Sequence, residues 1–202
     1  YCDRHAVTGI LDIYFLDVGQ ADSALVLCGD ESMLIDGGNV GDSQLIYSTL
    51  QSFNINHLNC IISTHAHEDH VGGLAAALNY ASVDTAYSPV ASYDSKAFNN
   101  FVKYLEKQER AITIPSAGDR FRFSGAEVQI IGPVTVTDHT ETNNTSIVLR
   151  IVYGNTSFLF TADAEREEEQ DILDAGYDLR STVLKVGHHG SESSTSYPFL
   201  RD

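Results

Sequence analysis

This chain of 202 residues has few basic residues and no long apolar runs. Only 12 lysines and arginines stand against 28 acidic residues, which gives a formal net charge of −16. This balance argues against a broad electropositive surface, and therefore against tight nonspecific binding of nucleic acid. No apolar run approaches the roughly 20 residues that cross a bilayer, so we expect no membrane contact from this segment itself. Because the first residue is Tyr1, we expect the chain to begin inside a longer gene product or after processing.

Cysteine is also scarce, and its three occurrences include no closely spaced pair. Cys28 and Cys60 lie in apolar, strand-like runs and are predicted to be buried free thiols, whereas Cys2 is terminal and uninformative. The cysteines therefore indicate no redox compartment.

The overall composition is typical of a globular domain with a sizeable core. Hydrophobic residues make up 43% and charged residues 20%, and no repeat or low-complexity tract interrupts the chain. This length predicts a single domain over residues 1–202. The oligomeric state stays open.

Short apolar or alternating runs between turn residues predict more strands than helices. The predicted strands are Leu11–Val18, Ser23–Cys28, Ser32–Ile35, Leu58–Ile62, Thr85–Tyr87, Ile112–Ile114, Phe121–Phe123, Glu127–Ile131, Ser146–Tyr153, Ser157–Phe160 and Thr182–Val186. The predicted helices run from an Asp42–Ser43 cap to about Phe53, over Leu74–Tyr80, from Lys96 to about Arg110, and over Glu165–Ala175, closed by Gly176. Because the strands fall in two groups with helices between and after them, we expect two packed sheets with helices on the outer faces.

The densest group of candidate metal ligands lies in Ser63–Gly73, directly after a predicted strand. His65 and His67 alternate, so an extended backbone points both rings the same way, and Asp69 and His70 follow. Neutral imidazoles and carboxylates are the usual ligands of zinc and of harder divalent metals. A single histidine is more often an ordinary surface or core residue, but four donors at this spacing predict a metal site.

Three further polar residues end predicted strands, namely Asp36, Asp163 and His188. Each has an ordinary alternative role, as a turn former, a helix N-cap and part of a surface loop respectively. A site with two metals about 4 Å apart needs six or more donors, one of them ideally a bridging carboxylate. The sequence supplies six such donors: His65, His67, Asp69, His70, Asp163 and His188.

The run His65–His70 matches the HxHxDH signature of the metallo-β-lactamase superfamily, which the chain resembles over nearly its whole length. Other blocks resemble the C-terminal domain of ComEC-type competence proteins and their secreted relatives: Leu16–Ser23, Leu34–Gly38, Asn143–Ser146 and Lys185–Ser191. The resemblance implies an α+β fold, the αβ/βα sandwich of two packed mixed sheets with outer helices and metals at one edge. ComEC-like domains continue past the position of Asp202, so we expect this fold to lack its last C-terminal segment.

The resemblance also implies how two divalent metal ions, zinc or manganese, would be held. His65 and His67 would bind one ion, and Asp163 would bridge. The second ion would take Asp69, His70 and His188. Asp69 would in addition orient the attacking hydroxide, and Asp36 would organise the opening loop by hydrogen bonding.

Two assignments stay open at this stage. Either His188 or His189 could turn toward the metals, and His189 could instead contact the reacting group as a catalytic residue. Many superfamily members place a third histidine on the first metal where this chain has Asn144, whose amide would be a weaker and harder ligand. His139 is an alternative ligand, and strand capping is an alternative role for Asn144.

The expected chemistry is hydrolysis. Two divalent ions lower the pKa of a shared water toward neutrality, so hydroxide bridging them can act as the nucleophile. The resemblance implies a phosphodiesterase acting on single-stranded DNA or another nucleotide ester, on the extracellular or cell-envelope side. The alternatives are a hydrolase of another small ester, such as a phosphocholine-type or lactone substrate, and a truncated metal-binding module of a DNA-uptake apparatus.

Overall fold

A computed structural model describes residues 9–202, in which two mixed β-sheets face each other. The first sheet contains six strands in chain order: β1 (Leu11–Phe15), β2 (Ala24–Cys28), β3 (Glu31–Ile35), β4 (His57–Ile62), β5 (Ser82–Tyr87) and β6 (Ile112–Thr113). Strands β1 to β3 are antiparallel, whereas β3 to β6 run parallel. The carboxyl ends of β3 and β4 therefore meet at the same edge of the sheet.

The second sheet has the strand order β11-β10-β9-β8-β7. Its strands are β7 (Arg120–Phe123), β8 (Ala126–Gly132), β9 (Val148–Tyr153), β10 (Thr156–Phe160) and β11 (Val183–Lys185). Strands β10 and β11 are parallel and the other neighbours are antiparallel. Residues that follow β10 and β11 are thus brought to one edge of this sheet.

Six α-helices accompany the sheets in the described part of the chain: α1 (Ser43–Ser52), α2 (Glu68–Val71), α3 (Leu74–Tyr80), α4 (Lys96–Lys107), α5 (Arg166–Ala175) and α6 (Tyr197–Arg201). Helices α1, α3 and α4 cover the outer face of the first sheet, and α5 and α6 cover the outer face of the second. This arrangement confirms the sandwich of two mixed sheets with outer helices. None of the helices within residues 9–202 is long and apolar enough to cross a membrane.

The core has three apolar layers, because successive side chains on a strand point to opposite faces. In β2, Leu25 packs under the outer helices, while Val26 faces the second sheet across the middle layer. Cys28 and Cys60 lie in that middle layer as buried free cysteines, as predicted, and Cys2 lies outside the described residues.

Several predicted boundaries differ from the observed ones. Strand β1 ends at Phe15 rather than Val18, and helix α4 ends at Lys107 rather than near Arg110. The side chain of Asp42 accepts a hydrogen bond from the Asn39 amide, 2.8 Å away, and does not cap α1. Helices α2 and α6 were not predicted, because four and five residues are too few to show a helical period.

Two glycine-containing loops, after β3 and after the histidine motif, touch backbone to backbone. A Cβ atom on Gly73 would lie 2.2 Å from the Gly37 carbonyl oxygen, and one on Gly37 would lie 2.6 Å from the Leu74 amide nitrogen. The Gly37 amide also donates to the His70 carbonyl at 2.7 Å. Only a residue without a side chain permits this approach, which holds Asp36 against the histidine motif.

We expect Gly73→Ala to lower the free energy of unfolding by about 1–3 kcal/mol, because the added methyl group forces these loops apart. Gly41→Ala is the matched control, since a Cβ there has no atom within 4 Å. Urea denaturation of both variants measures the difference. Equal stability of the two variants would contradict the close-approach argument.

Candidate metal centre

The candidate metal centre lies where the carboxyl ends of four strands meet. The segment Ser63–Gly73, called the metal loop below, follows β4 and contains the histidine motif. Asp36 follows β3, Asp163 follows β10, and His188–His189 follows β11. Parallel pairing within each sheet therefore gathers side chains that are far apart in the sequence.

The first pair of histidines has two ring nitrogens that converge. His65 Nε2 lies 3.1 Å from His67 Nδ1, and the two rings are nearly perpendicular, at 80°. Burial, together with the nearby positive charge of His70, holds the pKa of His65 well below its usual value. A neutral imidazole has a free lone pair, so this pair can bind one cation.

A second group of donors surrounds Asp163. Its Oδ1 atom lies 3.3 Å from His70 Nε2, and its Oδ2 atom lies 3.5 Å from His189 Nε2, which is also 3.2 Å from Asp69 Oδ2. His70 Nε2 and Asp163 Oδ1 are buried, and neither makes a hydrogen bond within residues 9–202. Buried polar atoms are normally satisfied, so two buried ligand atoms without a hydrogen bond, an imidazole nitrogen and a carboxylate oxygen, fit a site for a metal ion.

Asp163 is only 2% exposed and has four imidazoles around it. The nearest nitrogens of His65, His70, His188 and His189 lie 3.8, 3.3, 3.7 and 3.5 Å from its carboxylate. Burial alone would raise the pKa of Asp163, but contacts with His189 and His70 hold it well below its usual range. The cluster is thus built around a buried negative charge that requires positive charge beside it.

The pKa values of two of these imidazoles shift upward. Contacts with Asp163, Asp22 and Asp69 raise the pKa of His189 to about 11. Burial opposes the charged form of His70, but the neighbouring carboxylates raise the pKa of His70 to about 10. The raised pKa values favour the positively charged form of both rings, and divalent ions would displace those protons on binding. The residues present therefore fit a metal centre.

Asp36 orients the metal loop, as expected from the sequence. Its carboxylate accepts hydrogen bonds from the Thr64 amide at 2.8 Å and the Thr64 hydroxyl at 2.7 Å. The same carboxylate lies 2.8 Å from His70 Nδ1. This contact leaves His70 Nε2 directed at Asp163, the usual arrangement behind a metal-binding histidine.

His188 and His189 both have left-handed backbones, with φ of 47° and 51°, and their rings are inclined at 72°. His188 Nδ1 lies 3.2 Å from Glu165 Oε1, whereas His189 Nδ1 lies 3.3 Å from Asp22 Oδ1. The structure brings His189, rather than His188, against Asp69. The resemblance implied His188 in that place, with His189 as the alternative, and which of the two holds an ion stays a prediction.

The side-chain hydrogen bonds of Asn144 and the backbone hydrogen bond of His139 go to residues other than the histidines and aspartates of this cluster. The Asn144 side-chain oxygen accepts a hydrogen bond from the Glu165 amide at 2.9 Å, and its NH₂ group donates to Glu167 at 3.0 Å. Both polar ends of the amide are therefore used at the start of α5, and the expected ligand role of Asn144 finds no support in its contacts. His139 is exposed on the loop between β8 and β9, where it lines a pocket of about 350 Å³ with glutamates.

Sequence reasoning missed Asp22 and Lys185 as neighbours of the cluster. Asp22 contacts His189 through Oδ1 and forms an ion pair with Lys185 through Oδ2. Both residues belong to blocks that carried the family resemblance, but nothing in the sequence showed that the two blocks meet.

Residues 16–201 match the family model described as the metallo-beta-lactamase superfamily, and the chain belongs to that superfamily. Its fold and candidate cluster are those of a metal-dependent hydrolase of this superfamily.

Curated relatives resemble the chain over most of its length. It is 27% identical to "ComE operon protein 3" of Bacillus subtilis, with 94% of this chain and 27% of the relative covered. It is 30% identical to "Recombination protein 2" of Haemophilus influenzae, with 90% and 21% covered. The chain thus spans about a quarter of the length of the relatives it matches.

Solved structures show the same fold. The metallo-beta-lactamase SMB-1 bound to 2-mercaptoethanesulfonate gives a TM-score of 0.62 at 16% identity, covering 88% of this chain and 76% of that one. MEM-A1, a subclass B3 metallo-beta-lactamase from a soil metagenome library, gives 0.61 at 15% identity, covering 91% and 78%. At such low identity the likeness concerns the fold alone.

We expect Asn144→Ala to lower the free energy of unfolding by about 1–3 kcal/mol, because it removes two hydrogen bonds, one of them to a carboxylate. Affinity for Zn²⁺ should stay within about threefold of the unaltered chain, a change of less than about 0.7 kcal/mol. Urea denaturation and titration calorimetry measure the two effects. A tenfold loss of affinity would show that the amide binds a metal.

Proposed function

We propose that this chain is a phosphodiesterase that uses two divalent metal ions, zinc or manganese, and acts on single-stranded DNA or another nucleotide ester. The observation that carries the proposal is the position of Asp163, a buried carboxylate shared by two groups of donors. His65, whose ring meets that of His67, lies 3.8 Å from this carboxylate, and His70 and His189 lie 3.3 and 3.5 Å from it, with Asp69 against His189.

In this proposal Asp163 would bridge two ions. His65 Nε2 and His67 Nδ1 would hold the first ion. Asp69, His70 Nε2 and His189 Nε2 would hold the second, with His188 as a further donor near Asp163. When bound, such ions lower the pKa of a water and polarise a phosphoryl oxygen.

The protein's own residues would then position the attacking water. Asp69 is 32% exposed, whereas Asp163 is 2% exposed, so Asp69 is the carboxylate that an incoming water can reach. It can accept a hydrogen bond from the attacking water and fix its direction.

The substrate class rests on the relatives rather than on composition. "Competence protein ComA" of Neisseria gonorrhoeae is 27% identical over 91% of this chain, and its name supports a role in DNA uptake. The net charge of −16 supplies no broad basic surface for a nucleic acid strand. We therefore infer that bound ions provide the contacts to phosphate. A place at the cell envelope is part of the same proposal.

We expect His67→Ala and Asp163→Ala each to reduce hydrolysis of bis-p-nitrophenyl phosphate with Mn²⁺ at least 100-fold, because each removes donors from the ion sites. Bound metal should fall from two ions per chain toward one or none. His57→Ala is the matched control, since His57 is an exposed histidine at the start of β4, the end of that strand opposite the metal loop.

Metal analysis and turnover are measured together, with circular dichroism as the check of folding. Retention of two metals and full turnover in either cluster variant would contradict the two-metal assignment. Turnover on single-stranded DNA compared with small diesters separates a nuclease from a hydrolase of other esters.

Turnover of β-lactams should be negligible beside that of phosphodiesters. A free cation beside the cluster would favour binding of the β-lactam carboxylate, and Lys185 is already paired with Asp22. Nitrocefin hydrolysis, measured beside bis-p-nitrophenyl phosphate hydrolysis under the same metal conditions, tests this ranking. Faster nitrocefin turnover would reverse it.

A further inference from the structure

Asp22 contacts two other parts of the molecule through its carboxylate. Oδ1 lies 3.3 Å from His189 Nδ1, and Oδ2 forms an ion pair with Lys185 Nζ. The side chain is only 12% exposed. A loop of the first sheet is thereby linked to the last strand of the second sheet and to the loop that follows it.

The backbone of Asp22 is fixed as well. Its amide donates to the Asp69 carbonyl at 3.2 Å, and its carbonyl accepts from the Gly38 amide at 2.8 Å. Asp22 therefore sits between the metal loop and the loop that carries Asp36. Because the backbone and the side chain of Asp22 are both held, its carboxylate can fix the imidazole ring that it contacts.

Two of the other histidines around Asp163 show the same arrangement. Asp36 lies behind His70 Nδ1, and Glu165 lies behind His188 Nδ1, while Nε2 of each ring faces Asp163. A carboxylate on one ring nitrogen fixes the tautomer and makes the other nitrogen a better ligand.

Asp22 is also close enough to the cluster to be considered a ligand itself. One ligand atom from each of Asp22, His70, Asp163 and His189 falls within 4.8 Å of the others. Both carboxylate oxygens of Asp22 are engaged, however, one with His189 Nδ1 and one with Lys185. Since Nδ1 is the ring nitrogen away from Asp69, the contact of Asp22 is with the outer side of His189.

We propose that Asp22 is the positioning residue for His189, and that it directs Nε2 of this ring toward Asp69 and Asp163 and thereby sets metal affinity. The proposal rests on the proposed function, in which His189 holds a metal. Asp22 touches neither substrate nor metal in this account, and it acts only through the imidazole.

Titration calorimetry with Zn²⁺ tests the proposal in a double-mutant cycle of Asp22→Ala, His189→Ala and the double variant. Asp22→Ala should weaken binding of the second ion by about 10–100-fold. The double variant should bind no more weakly than His189→Ala, because Asp22 has no ring left to orient. Asp17→Ala, an exposed carboxylate of the same loop, is the control and should match the unaltered chain.

The cycle separates the possible failures. Additive losses in the double variant would show that Asp22 binds the metal directly, which overturns the proposal. Equal Zn²⁺ affinity of Asp22→Ala and Asp17→Ala would also overturn it. Unchanged binding by His189→Ala would overturn the ligand set of the proposed function, and the positioning role with it.

Two further variants separate positioning from structural damage. Asp22→Asn keeps an oxygen that can accept from Nδ1, so it should lose less than tenfold in affinity and should fold even where alanine does not. In Asp22→Ala/Lys185→Met the unpaired ammonium is removed as well. If that variant regains the affinity of the unaltered chain, the unpaired lysine caused the loss and the proposal is wrong. A persistent loss supports the Asp22–His189 contact.

Discussion

The buried carboxylate of Asp163 is the charge on which the geometry of the site depends. It is 2% exposed, and burying an ion this deeply is unfavourable unless opposite charge lies beside it. Imidazolium protons can supply that charge, since the neighbouring carboxylates raise the pKa values of His70 and His189. Divalent cations would supply it on binding, with release of those protons. The two-sheet sandwich places the donors around Asp163, because the ends of parallel strands meet at one edge.

A second regularity is that three histidines of the cluster each have a carboxylate in contact with Nδ1. Asp36, Asp22 and Glu165 come from three different loops, and each contacts the Nδ1 atom of one ring. Each Nε2 is then free to face Asp163, so orientation is decided outside the cluster itself. Close backbone contact between the loops after β3 and β4 keeps the first of these partners in place. The donor directions are therefore a property of the whole sheet edge rather than of the histidine motif alone.

The sequence predicted the features that depend on residues close together in the chain. Strand periodicity indicated the two-sheet architecture, and the HxHxDH spacing indicated the first four donors. The choice between His188 and His189 could not be made, because it depends on a left-handed backbone at both residues and on Asp22, which is distant in the chain. The resemblance implied a ligand role for Asn144, yet its amide bonds to Glu165 and Glu167 at the start of α5, which the sequence does not place near it.

An anomalous difference map from crystals grown with Mn²⁺ would test the central claim most directly. The account predicts two peaks about 4 Å apart on either side of Asp163. One peak should lie within ligand distance of His65 and His67, and the other should lie within ligand distance of Asp69, His70 and His189. Absence of density beside Asp163, or a peak only in the glutamate-lined pocket near His139, would contradict it.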